Sequence, residues 1–302
     1  MSQVFLTGAN GFVGVKLAAA LISRGHTVRA LVRRPNVELD ALGVDVILGE
    51  LHTIDAATVA DCDTIVHGAA SFSSDLAEGR AVNRDATDLL AQLAHDSGAY
   101  YVLVSTSAVY NTDLATGPVI DEDAPRRDLD SMGGPTGSSS PVYGFTKAEG
   151  EILTEQARER GLVTAILRPS SVLGVGPTST WGTKIPDRLK GGEVTRRNPN
   201  GSFAWLHVDD LVDGIIAAID QKANITANLV TGHEPYRNYF NAIVEAVPGA
   251  IDVARITPDA YDRAWTGEYS NARAKKLLGW TPRYAFDAAM DEIQQDLKRR
   301  WA

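Results

Sequence analysis

Tyr143 and Lys147 stand four residues apart in Tyr-Gly-Phe-Thr-Lys, at the start of a segment that runs to Arg160 with helical periodicity. Residues four apart on a helix share a face, so both side chains can act on one substrate atom. A tyrosine hydroxyl is a poor base near neutral pH. A nearby ammonium favours its phenolate and brings proton transfer into a useful range. Such a pair also arises by chance on ordinary helices, so its meaning depends on what the rest of the chain places beside it. Upstream, Val104-Ser-Thr-Ser-Ala-Val-Tyr110 ends an apolar run with Ser105, Thr106 and Ser107. Thr106 or Ser107 can hydrogen-bond an oxygen whose charge changes during reaction, and a turn or capping role is the plainer alternative.

A second constellation lies near the first residues. Val4 to Leu6 is a short apolar run, Thr7-Gly-Ala-Asn-Gly-Phe-Val-Gly14 follows, and Phe12 to Ser23 then has helical spacing up to Gly25. Strand, tight turn and helix start in that order bring unpaired amides and the positive end of a helix dipole to one point, where a pyrophosphate can rest. Gly8, Asn10, Gly11, Phe12, Val13 and Gly14 are the candidate contacts, the glycines keeping a Cβ out of the ligand's way. A glycine-rich turn that binds nothing is the alternative; its place after a strand and before an amphipathic helix favours the dinucleotide. The next strand, Thr27 to Val32, ends without the Asp or Glu that accepts a ribose 2′-hydroxyl, and Arg33 and Arg34 follow. Guanidinium groups suit a 2′-phosphate, which favours NADP over NAD, unless the two arginines are only solvated surface charge.

Elements that would position these residues can be read off the same chain. Short runs at 45–48, 64–66, 100–104 and 162–167 alternate with helical stretches, the pattern of a doubly wound parallel sheet, a Rossmann-type α/β fold with helices on both faces. Residues 113–141, rich in Gly, Ser, Pro and Asp around Met132 to Ser140, read as a functional loop near the site. Beyond Pro169 the composition shifts, with Trp181, Trp205, Trp265 and Trp280 in this part. The expected division is a dinucleotide-binding domain over 1–170 and a smaller substrate lobe over 171–302.

With 302 residues, 44% of them apolar, the chain can bury a large core, and its net charge of −9 is the wrong sign for nucleic-acid or anionic-membrane partners. The lone Cys62 has no disulfide partner, the histidines show no metal-ligand spacing, and no Gly-x-Ser-x-Gly elbow occurs, so no metal and no serine-hydrolase chemistry are expected. The first residues do not read as a secretory signal and no run is long enough to span a bilayer, which points to a soluble, cytoplasmic protein.

Taken together, Thr7 to Gly14, Val66-His-Gly-Ala-Ala70, Val82-Asn83, Ile120 to Pro125, Tyr143 to Lys147, Leu167-Arg-Pro169, His207 to Asp210 and Leu278 to Pro282 resemble the extended short-chain dehydrogenase/reductase family over nearly the whole chain. The resemblance implies Tyr143 as acid/base, Lys147 as its partner and nicotinamide-ribose ligand, and Thr106 as the hydroxyl that orients the substrate. It further implies Glu50 and Leu51 near the adenine, Gly68, Ala69 and Ala70 along the cofactor, and Pro169, Ser170 and Ser171 at the nicotinamide. By the same analogy, residues 205–232 return to the main sheet with a helix and a strand. Family members often dimerise through the helices carrying Asn83 and Tyr143, which makes a homodimer the implied assembly.

The fold does not choose among the family's reactions. Sugar-nucleotide members usually carry Asn where Ser171 stands and Arg near Phe203, both holding a diphosphate; here neither is present, although Arg196, Arg197 and Lys184 are possible substitutes. Trp181, Phe203 and Trp205 suggest an apolar or aromatic substrate wall, with Ser71, Ser107 and Tyr110 as further substrate contacts, while a plain core role for the aromatics is the alternative. The expectation is therefore an NADP(H)-dependent oxidoreductase acting on a small or medium-sized carbonyl/alcohol pair. In it Tyr143 donates the proton to oxygen while Thr106 and Lys147 stabilise the developing alkoxide. The alternatives are an epimerase or dehydratase with tightly retained NAD, and a non-catalytic NADP sensor or scaffold.

Overall fold

The computed structural model describes residues 2–114, 117–130, 141–252, 256–257 and 265–302. The expected loop core at Met132 to Ser140 lies outside the described residues.

Seven strands form one parallel sheet in the order Ile225–Leu229, Thr164–Pro169, Tyr100–Val104, Thr64–His67, Gln3–Thr7, Thr27–Val32, Asp45–Leu48. The first strand lies between the fourth and the second, so the chain reverses its direction of travel across the sheet beside Thr7. Loops diverge at such a switch point and leave a crevice at the carboxyl ends of the strands. The expected strand at 162–167 begins and ends two residues later, at Thr164–Pro169, because its register is set by Ile225–Leu229, where Leu229 lies opposite Pro169.

Side-chain alternation along the strands fills two separate cores. Val4 and Leu6 face a layer that holds Leu17 and Leu21 of the helix Phe12–Ser23 and Leu211 and Ile215 of the helix Val208–Gln221. Phe5 faces the opposite layer with Ile65, Tyr101 and Leu90, the last from the helix Ala86–Ser97. Both sheet faces are thus buried, as the near-continuous apolar strands require.

A third core belongs to the smaller lobe. Ser202–His207 pairs antiparallel with Gly232–Pro235 and parallel with Ser171–Leu173. Its aromatic residues pack on the helix Tyr236–Ala246. Phe203 lies 4.7 Å from Trp181, 5.2 Å from Tyr236 and 5.1 Å from Tyr239, centroid to centroid, and is 0% exposed. This corrects the expectation that Phe203 faces the substrate: its strand turns the ring into the lobe interior. Trp205 is equally buried.

The helix Pro141–Glu159, which carries Tyr143 and Lys147, is tied to the sheet by a buried ion pair. Arg168 donates to Glu151 from Nε at 3.0 Å and from Nη2 at 2.7 Å, with side chains 2% and 0% exposed. Burial alone would raise the Glu151 carboxyl; Arg168, and more weakly Arg126 at 3.2 Å, hold it below its ordinary value. The remaining Arg168 donor, Nη1, reaches the Tyr110 hydroxyl and the Glu122 carbonyl. Removing one partner strands the other charge, so Arg168→Met is expected to destabilise the fold by about 3–5 kcal/mol, read as a lower denaturation midpoint in urea. The Arg168→Met/Glu151→Leu double variant should recover part of that loss. An unchanged midpoint in Arg168→Met would mean that the pair contributes no net stability.

Candidate active site

The glycine turn follows from the backbone it must make. Gly8 has φ +77°, and a Cβ on it would come within 2.6 Å of the Gly68 and Ala69 backbone, while one on Gly14 would come within 2.2 Å of the Gly8 carbonyl. Gly8 is therefore required by its own conformation and by the neighbouring strand end. That differs from the expected reason, ligand approach. At Gly11 the sole close neighbour of such a Cβ is the Gly8 carbonyl, at 3.1 Å, which leaves Gly11 as the glycine whose side faces the cleft. Asn10 ties this turn to the second strand by donating from Nδ2 to the Arg34 carbonyl at 2.8 Å. Thr7 Oγ1 lies 2.7 Å from His67 Nδ1 and accepts from the Ala69 amide at 3.3 Å, so the two strand ends that flank the switch point are bound together. Burial and the Lys147 charge push His67 down to about 3, so it is a neutral structural group.

One cleft of ≈ 2590 Å³ runs across the strand ends. That exceeds the roughly 300–1,000 Å³ of a pocket for one small ligand and leaves room for a dinucleotide beside a substrate. Gly8, Asn10, Gly11, Phe12, Val13 and Gly14 line it, with Arg33, Arg34, Glu50 and Leu51 beyond the second and third strands. Gly68, Ala69, Ala70 and Ser71 follow the fourth strand; Pro169, Ser170 and Ser171 follow the sixth. From the second strand to the fifth is three strand spacings, about 14 Å, the scale of an extended dinucleotide. Three buried polar atoms in this wall, Asn10 Oδ1, Ser105 Oγ and Ser170 Oγ, have no hydrogen-bond partner among the described residues. Unsatisfied acceptors and a glycine cradle fit a nicotinamide dinucleotide.

At the fifth strand end, Thr106 caps the short turn Ser107–Val109 by accepting from the Ala108 amide at 3.1 Å. Burial pushes Tyr143 up to about 12 and Thr106 opposes that rise. Lys147 donates from Nζ to the Val104 carbonyl at 2.7 Å, and burial pushes it down to about 8 against the pull of Glu151. Burial therefore sets the direction for Tyr143, opposed by Thr106 where Lys147 was expected, and the ammonium is directed to the strand carbonyl. Thr106, Ser107 and Tyr143 line the cleft, and Lys147 lies buried behind them.

Tyr110, expected as a substrate contact, borders the cleft but turns its hydroxyl to interior partners. It is 1% exposed, and its hydroxyl donates to Asn228 Oδ1 at 2.6 Å and accepts from Arg168 at 2.8 Å. Trp181 reaches the cleft wall from the small-lobe core. Three residues beside the site were not among the expected site residues. Asn83 lies in a π-turn at Ala81–Asp85, accepts from the Ser71 amide at 2.9 Å, and donates to the Ser71 carbonyl at 2.8 Å and to Thr146 at 3.0 Å, clamping the Ser71 segment to the Tyr143 helix. Phe72 is 64% exposed and stacks on the Tyr143 ring at 4.5 Å. Arg127 lines the cleft and donates to the Ala108 carbonyl at 2.8 Å. Only Asn83 had a sequence signal, as part of Val82-Asn83.

The NAD dependent epimerase/dehydratase family model matches residues 4–231. This chain belongs to that family. It is 34% identical, over 91% of its own length and 84% of the relative's, to a 4-hydroxy-2-methyl-3-oxo-4-farnesyl-3,4-dihydroquinoline-1-oxide ketoreductase of Stigmatella aurantiaca. It is 27% identical, over 97% of the chain and 80% of the relative, to a 3 beta-hydroxysteroid dehydrogenase/Delta 5-->4-isomerase of Mycobacterium tuberculosis. Among solved structures, MoeE5 in complex with UDP-glucose and NAD superimposes with a TM-score of 0.78 at 23% identity, covering 99% of this chain and 100% of that one. The protein is an NAD(P)-dependent enzyme of the extended short-chain dehydrogenase/reductase group. No helix among the described residues is long and apolar enough to cross a membrane.

The Lys147 shift has a pH consequence. An ammonium pushed down to about 8 is lost as pH rises through that value, so an activity that needs its charge should fall along an alkaline limb near pH 8. The sign for stability is opposite: the buried ammonium opposes folding below about pH 8, and that cost is relieved between about 8 and its ordinary 10.5. A kcat/KM profile from about pH 6 to about pH 10 checks the first statement. Lys147→Arg, whose guanidinium keeps its charge, should move the limb upward. The same limb in both proteins would assign the titration to another group.

Proposed function

We propose that this enzyme is an NADPH-dependent reductase of a ketone or aldehyde on a small or medium-sized, apolar or aromatic molecule. The observation that carries the reading is Tyr143, buried in the cleft wall beside Thr106, at the cleft end opposite Arg33 and Arg34. NADPH, when bound, supplies a hydride from its nicotinamide ring. The protein's part is to position the carbonyl oxygen between Tyr143 and Thr106 and to deliver the Tyr143 proton to it, with the Lys147 charge favouring the oxyanion form. Gly11, Asn10 and the first turn of the helix Phe12–Ser23 would hold the pyrophosphate, and Ser170 the nicotinamide side.

The cofactor preference rests on Arg33 and Arg34, both exposed on the cleft rim, and on the absence of an acid from Arg33-Arg-Pro-Asn36. The substrate class rests on the aromatic lining: Phe72 over Tyr143, with Trp265, Tyr269, Tyr236 and Phe240. The names of the ketoreductase and hydroxysteroid dehydrogenase relatives, both describing oxidoreductases of polycyclic substrates, support the same class.

A second reading is favoured by Lys184 and Arg197, which line the cleft, Arg197 standing over the Tyr236 ring at 5.6 Å. They would offer a sugar nucleotide's diphosphate two cations in place of the missing Asn and Arg. That reading makes the protein an epimerase or dehydratase that retains NAD through turnover.

Tyr143→Phe should lower kcat by about 10²–10⁴ while NADPH binding, followed by fluorescence titration, persists. Full turnover in this variant would refute the assignment. Arg33→Glu should weaken NADPH by about tenfold or more and NADH far less; equal effects would remove the NADP preference. Purified protein carrying NAD and showing no net cofactor oxidation with any carbonyl would select the second reading.

A further inference from the structure

Several buried or half-buried arginines among the described residues meet carboxylates or other protein oxygens. Arg168 and Arg126 share Glu151, with Arg126 reaching Glu155 as well; Arg80 pairs with Glu149; and Arg158 donates to the Thr164 and Ile225 carbonyls and to Thr226. Arg127, like Arg158 and Arg197, has no carboxylate ion pair among the described residues, and of the three it is the one packed beside the Tyr143 segment. Its Nε donates to the Ala108 carbonyl. Burial is the largest influence on the guanidinium and disfavours its charge; Tyr269 and Asp113 oppose this only through space. A guanidinium stays protonated regardless, so an anion in the cleft would offset part of its desolvation cost.

The position of Arg127 states what that anion belongs to. Its stem crosses Gly144, the residue after Tyr143: a Cβ there would come within 3.0 Å of Arg127 Cδ and Nε and 2.3 Å of the Ala108 carbonyl. Ala108 in turn belongs to the turn that Thr106 caps. Arg127 is thus packed against both segments that carry the candidate acid and its hydroxyl partner, on the wall of the same cleft. The cations proposed above for the cofactor phosphates follow other strands, so they do not serve this end. We propose that Arg127 is a specificity residue that binds an anionic group, a carboxylate or comparable oxyanion, carried by the substrate beside its carbonyl. This rests on the reductase reading and narrows it: the substrate is an apolar or aromatic carbonyl compound bearing an acid, and a guanidinium takes a carboxylate through two parallel N–H donors.

Two matched pairs test this: phenylglyoxylate and 4-acetylbenzoate, each beside its methyl ester, with NADPH oxidation followed by absorbance in wild type, Arg127→Gln and Arg127→Lys. In parallel, benzoate is titrated against each protein with NADP present, read by tryptophan fluorescence. Wild type should prefer at least one acid to its ester. The acid-to-ester ratio of kcat/KM should fall by about tenfold or more in Arg127→Gln, and benzoate binding should weaken by a similar factor. If the glutamine variant loses its thermal transition, Arg127→Lys decides: a lower ratio supports bidentate binding, and an unchanged ratio overturns it. Reduction of neutral ketones and esters with no acid preference would overturn the anion site and leave the reductase standing. Arg127-dependent benzoate binding without reduction of any carbonyl would do the reverse.

Discussion

Taking Arg168 and Glu151 out of water together is the constraint on which the site's geometry depends. The pair joins the helix Pro141–Glu159 to the strand Thr164–Pro169, and neither charge is tolerable in that interior without the other. Arg168 also draws in the Tyr110 hydroxyl and the Glu122 carbonyl, and Glu122 receives the Asn228 amide of the edge strand at 2.8 Å. One guanidinium thereby sets the helix that carries Tyr143 against the sixth strand, the segment after the fifth strand and the edge strand. The cost of desolvation is offset by directional bonds, and direction is what placing a hydroxyl to within a fraction of an ångström needs.

Burial then decides the protonation states in the cleft. Tyr143 is pushed up to about 12 and Lys147 down to about 8, so the interior favours the neutral form of each. A phenol that keeps its proton at neutral pH is suited to giving it to a carbonyl oxygen that becomes basic as hydride arrives. The same environment is poor for a tyrosinate base. Desolvation sets both directions, and the lysine head is held by the Val104 carbonyl.

Aromatic side chains divide between structure and surface in a way that bears on substrate. Phe203, Trp205 and Tyr239 fill the small-lobe core, whereas Phe72 leaves most of its ring exposed over Tyr143. Phe72 and Arg127 both line the cleft beside Tyr143. Asn83 holds the Ser71-Phe72 segment through two hydrogen bonds to the Ser71 backbone, so the position of that ring is set from the π-turn.

The glycine turn, the parallel α/β alternation and the Tyr143/Lys147 spacing were determined by the sequence itself, because each follows from local backbone geometry: φ above zero at Gly8, two-sided burial of short apolar strands, one helical turn between residues four apart. Family membership was legible for the same reason, as a collinear set of short motifs. Tertiary structure alone decided what lies across the sheet or between lobes. It put Phe203 inside, engaged the Tyr110 hydroxyl with Asn228 and Arg168, showed that Gly8 makes room for Gly68 and Ala69, and turned Lys147 onto a strand carbonyl. It also left Arg127 without a carboxylate partner among the described residues while matching Arg126 next to it. Burial and pairing depend on residues distant in the chain, and no local pattern of residue types encodes which of two adjacent arginines meets its counter-charge.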